Sequence, residues 1–132
     1  MPRKHTHIEC FEFFGTKPRN TYWSWSARNE ESKVVVVTLW QDELKPRDGK
    51  LTYRREGYDP ITPDRRPGNK ELLENLQWAM DHCDGKFKVI VAIAVDPKAE
   101  PRSIRECFPH PKLTMRVMEL NLSTGSFEAE QA

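Results

Sequence analysis

The chain has 132 residues, a length that fits one domain with a single core and needs no disulfide or metal staple. Hydrophobic residues make up 37%, charged residues 31%, and the net charge is +1. A small core with long charged loops is therefore expected, and no global field draws the protein onto nucleic acid or membrane.

No apolar stretch is long enough to span a bilayer, and MPRKHTHIEC lacks the apolar core of a signal peptide, so a cytoplasmic protein without a membrane partner is expected. Cys10, Cys83 and Cys107 are odd in number and have no paired spacing, which fits reduced thiols.

Partial apolar alternation over His7 to Phe14 predicts a first strand ended by Gly15, and Lys17 to Asn20 reads as a turn. In Thr21 to Arg28, an extended chain sets Trp23 and Trp25 opposite Tyr22, Ser24 and Ser26. Lys33 to Trp40 carries four consecutive valines and predicts a central strand covered on both faces, joined to the tryptophan strand by a hairpin at Asn29 to Ser32. Lys45 to Lys70 is dense in proline and glycine and predicts a long irregular loop, with Lys50 to Arg55 as a short strand after an Asp48-Gly49 turn. That loop holds eight Lys or Arg against four acids, about +4, which leaves about −3 for the rest.

Asn69 to Cys83 predicts the one main helix, with Asn69 as cap, a core stripe of Leu72, Leu76, Ala79, Met80 and Cys83, and Gly85 as the stop. Val89 to Val95 reads as a second buried strand, and Arg102 to Phe108 as a short helical piece before Pro109. Leu113 to Leu120 and Ser126 to Glu130 predict a closing hairpin through Asn121 to Gly125. The expected fold is α+β: a single domain, 1–132, with a strongly curved mixed or antiparallel sheet closing toward a β-barrel beside one main helix.

Trp23, Trp25 and Trp40, with Tyr22 and Tyr53, are candidates for an aromatic pocket that holds a flat or cationic ligand, or they are fillers of the core. Arg54 with Arg55, Arg65 with Arg66, and Arg102 suit phosphate oxygens, or form a solvated charged surface. Two catalytic patterns are weaker. Glu43-Leu44-Lys45 after an apolar strand has the spacing of a nuclease metal site, and His5, His7, Cys10, Cys107 and His110 offer zinc-ligand types without a recognised spacing. Neither assembles a catalytic or metal set from sequence, and no cofactor motif is present, so a binding role is expected over an enzymatic one.

The WSWSA strand, the buried strand running into Trp40-Gln41-Asp42, the single helix and the basic connection together resemble the PUA-like superfamily, which includes EVE, ASCH, YTH and SRA domains. The resemblance implies a module that binds RNA or modified DNA, in some members by enclosing a modified base among aromatic side chains. It implies pocket roles for Trp23, Trp25 and Trp40, a base-edge contact from Asp42, and backbone contacts from the arginine pairs, while Tyr22 and Ser24 are ligand candidates from their place beside the tryptophans in the strand. A small-molecule enzyme or a protein-interaction domain using the same pocket is the alternative.

Overall fold

The valine run forms strand β2 (Val34–Trp40), with five of its seven residues buried. Alternation sends Val35, Val37 and Leu39 to one side and Val36, Thr38 and Trp40 to the other, and an apolar run without polar relief requires cover on both. The computed structural model describes residues 6–17, 24–55, 67–96, 98, 104–122 and 124–132. Among them, helix α1 (His7–Phe13) covers one face and helix α2 (Pro67–His82) the other. Val35, Val37 and Leu39 pack with Leu72, Leu76 and Ala79 of α2 in the larger core. Val36 packs with Cys10 and Phe11 of α1 in the smaller one.

The segment expected as a first strand is thus a helix. Thr6 and Glu9 form a capping box: Thr6 Oγ1 accepts from the Glu9 amide at 3.1 Å, and the Thr6 amide donates to Glu9 Oε1 at 3.2 Å. His7, Cys10, Phe11 and Phe14 then recur at helical steps. Gly15, at φ 76°, closes the helix: its amide donates to Glu12 and the next, of Thr16, to Phe11.

Seven described strands form one sheet in the order β1-β2-β5-β6-β7-β4-β3. Besides β2 these are β1 (Ser26–Asn29), β3 (Lys45–Arg47), β4 (Lys50–Arg55), β5 (Lys86–Ala94), β6 (Ile104–Asn121) and β7 (Ser126–Gln131). Only β2 and β5 are parallel, joined through α2; every other neighbouring pair is antiparallel. The α+β class follows, but the sheet of described strands is open, with β1 and β3 as its edges, so no barrel is shown among the described residues. β2 lies next to an edge, and the middle strand is β6.

The sheet nevertheless curls. Strands lie about 4.8 Å apart, so β2 and β3, five steps apart in the order, would be separated by about 24 Å in a flat sheet. Trp40 and Lys45 end and begin these strands, and the chain between them spans at most about 18 Å. A short 3-10 turn, Gln41–Glu43, makes this bridge, and the Tyr53 hydroxyl of β4 donates to Glu43 Oε2 at 3.0 Å to hold it.

Other expectations are corrected in detail. The basic stretch expected as loop begins as a β-hairpin, β3 to β4, turning at Asp48 (φ 51°) and Gly49 (φ 80°), the positive pair that a tight hairpin needs. Residues 104–108 are strand rather than helix, because they pair with β5 from Ile104 opposite Ala94 to Phe108 opposite Val91. β6 continues through Pro109 and Pro111, with a register shift where Lys88 and Val89 meet it. Ser24 and Trp25, expected within the tryptophan strand, precede β1, and residues 18–23 lie outside the described ones. α2 begins at Pro67, a residue suited to the first helical position, and Met80 is exposed rather than part of the stripe.

Candidate functional site

The turn that bridges the curl builds the site. Asp42 and Glu43 stand on it, while Lys45, Thr52 and Arg54 come from the facing hairpin. Together they line an open cavity of about 400 Å³. Lys45 and Thr52 are register partners, and Arg54 follows Thr52 by two residues, so the three share the outer face of the hairpin. The Thr52 hydroxyl donates to the Lys45 carbonyl at 2.9 Å, and Glu43 is fixed by Tyr53. Burial, with the Glu43 carboxylate beside it, pushes the Tyr53 phenol well above its ordinary range, so it stays a donor. The cavity therefore presents carboxylates on one wall and cations with a hydroxyl on the other.

Arg54 and Arg55, adjacent in sequence, are separated by the sheet. Arg54 points to the outer face, 3.8 Å from Glu128 of β7, and Lys50 lies 3.8 Å from Glu130. Arg55 is the partner of Phe127, whose ring stacks on Tyr53 at 5.7 Å on the inner face. A strand, unlike a loop, alternates its side chains, so Arg54 and Arg55 leave the sheet on opposite faces. Arg65, Arg66 and Arg102 lie outside the described residues, as do Tyr22 and Trp23.

Trp25 and Trp40 do meet, with ring centroids 5.2 Å apart and planes at 42°. Both are half-buried. His7 stands edge-on to Trp25 at 5.5 Å and over Phe11 at 4.8 Å, and its Nε2 is 2.6 Å from Thr38 Oγ1. Burial lowers the His7 pKa to about 4, so the ring is neutral near pH 7. The indole pair thus joins α1 to the end of β2, and neither ring lines the cavity that starts two residues beyond Trp40.

Ser24 and Ser26 are both buried. Ser26 Oγ accepts from Asn75 Nδ2 of α2 at 2.8 Å, and Asn75 Oδ1 accepts from Arg28 at 3.3 Å. Arg28 also lies 5.4 Å above the ring of Trp78, which meets His82 at 4.6 Å with the planes tilted by 35°. This polar seam between β1 and α2 was not evident in the sequence, although Asn75, Trp78 and His82 recur at helical steps.

The metal patterns do not assemble. Cys10 and Cys107 meet, Nε2 of His7 is taken by Thr38, and His5 is outside the described residues. Among the described residues no group of three or more His, Cys, Asp or Glu could hold a metal ion. Nor is any helix among them long and apolar enough to cross a membrane.

No family model, curated protein or solved structure matches the chain.

Proposed function

We propose that the protein is a nucleic-acid-binding module whose cavity beside the Gln41–Glu43 turn takes a nucleotide of a single strand. The observation that carries this reading is the convergence of Asp42 and Arg54, from different elements, on one open cavity with Lys45 and Thr52. Arg54 and Lys45 provide donors for phosphate oxygens, and Asp42 an acceptor for an exocyclic amino group of a base. Trp25 and Trp40, one strand-end away, are the aromatic surface on which a neighbouring or modified base stacks. The resemblance to PUA-like domains adds less, because the element order that carried it now begins with a helix.

Fluorescence anisotropy with RNA and single-stranded DNA oligonucleotides, with and without base methylation, tests the proposal. Arg54→Ala and Lys45→Ala should weaken binding to every sequence and flatten the salt dependence by about one unit each. Asp42→Asn should instead cost about 1–3 kcal/mol of discrimination in favour of bases bearing an amino group. Unchanged affinity in Arg54→Ala and in Asp42→Asn at low salt defeats the reading.

A further inference from the structure

Cys10 of α1 and Cys107 of β6 lie 97 positions apart in the chain, yet their sulfurs are 3.7 Å apart in the smaller core. Both residues are buried. Cys107 sits opposite Ala92 of β5, in the patch of sheet that α1 covers. A seven-residue helix is marginal by itself, and α1 is held by Cys10 and Phe11 in this core and by the His7 contact with Thr38. The thiols therefore face each other across the joint between α1 and the sheet.

We infer that Cys10 and Cys107 form a reversible intramolecular disulfide that fastens α1 to β6, with hydrogen peroxide or a low-molecular-weight disulfide as oxidant. A sulfur–sulfur bond is about 2.0 Å long, so closure asks for a shift of less than about 2 Å shared between two side chains. The shared proton divides their roles. Either sulfur can donate in this contact, and the hydrogen bond between them raises the Cys10 pKa and lowers that of Cys107, so the thiolate forms first on Cys107. With peroxide, Cys107 sulfur attacks one oxygen, giving a sulfenic acid and one water. Cys10 sulfur then attacks the oxidised sulfur, the S–S bond forms and a second water leaves. Two thiols lose two protons and two electrons, and one peroxide becomes two waters. With a small disulfide the same electrons pass by two exchanges that release two small thiols. Oxidant reaches the buried pair when α1 opens locally, an excursion smaller than global unfolding.

The competing reading is that two small apolar side chains merely fill the core. Cys83→Ser, which leaves this pair as the only thiols in the chain, separates the two. The variant is equilibrated in glutathione buffers over a wide range of disulfide-to-thiol ratio, folded and in urea, then acid-quenched, blocked with maleimide and weighed intact. Native proximity should let the folded protein lose two hydrogens and escape maleimide at a ratio at least about tenfold lower than the unfolded chain, reversibly with dithiothreitol. By linkage the same factor appears as a higher melting temperature of the oxidised form. Cys107→Ser in this background should show no such species. An equal or higher ratio in the folded state, two maleimide adducts throughout, or only glutathione adducts overturns the inference. Should Cys83→Ser fail to fold, peptide mapping of the oxidised natural chain decides between the same two readings: Cys10 must be linked to Cys107 and not to Cys83.

Discussion

His7 shows how one side chain can make a fold pH-dependent. Its pKa falls from 6.5 to about 4 on folding because burial disfavours the imidazolium. Between those values the unfolded chain binds the proton and the native one does not, so stability rises with pH across the window. The contribution is intact above pH 6.5 and is lost as the pH falls toward 4. Acidification across this window should remove about 2–3 kcal/mol, and His7→Gln, which keeps a donor for Thr38 but does not titrate, should flatten that slope in urea titrations. Asn75 makes a second test. Asn75→Ala strands the buried Ser26 hydroxyl and should cost about 1–3 kcal/mol, whereas Ser26→Ala with Asn75→Leu should cost less than the two single changes added, because both partners of the buried hydrogen bond then go together and Arg28, which loses Asn75 in either case, keeps Glu30. Asn75 did not stand out in the sequence, and His7 stood out only as a zinc-ligand type, since the contacts that give each its role come from residues distant in the chain.

At the scale of the element, legibility followed the strength of the local pattern. β2, α2, β7 and the Asp48-Gly49 turn were readable because a valine run, a long apolar stripe and a glycine turn each admit one geometry. α1 was misread because His7 to Phe14 satisfies two periods at once, and Thr6 with Glu9, the signal that decides between them, stands partly outside the apolar window. The first residues of β6 were misread because their strand character comes from pairing with β5, a tertiary cause invisible locally. The site was only half legible: Asp42 and Arg54 were named, but their meeting depends on the curl of the sheet. The capping box yields a prediction at this scale. Thr6→Ala should weaken α1 by about 1 kcal/mol, so maleimide labelling of Cys10 in the folded protein should quicken about fivefold while the global urea midpoint moves little.

Across the whole molecule, the curl and the charge pattern act together. The part of the sheet that α1 leaves uncovered carries Thr52, Glu130 and Arg116 across one row and Arg54 and Glu128 across the next. Lys50 and Arg54 each lie 3.8 Å from a glutamate of β7, so the excess positive charge of residues 45–70 is partly answered there, and Arg116 of β6 lies 3.0 Å from Asp84. These pairs are exposed and add little stability, but they set the field that an approaching polyanion meets. If Arg54 and Lys45 are the phosphate contacts, as proposed, the expected salt dependence is shallow, a log–log slope of about −1 to −2. Glu128→Gln with Glu130→Gln removes two negative charges beside Arg54 and Lys50 without touching the cavity lining. Affinity for single strands should rise and the slope steepen by up to about one unit, because Lys50 becomes a further contact while Arg54 is already one, with the unfolding midpoint changed by less than about 1 kcal/mol. A pair of substitutions that leaves both affinity and slope where they were would place any nucleic-acid binding away from this face of the sheet.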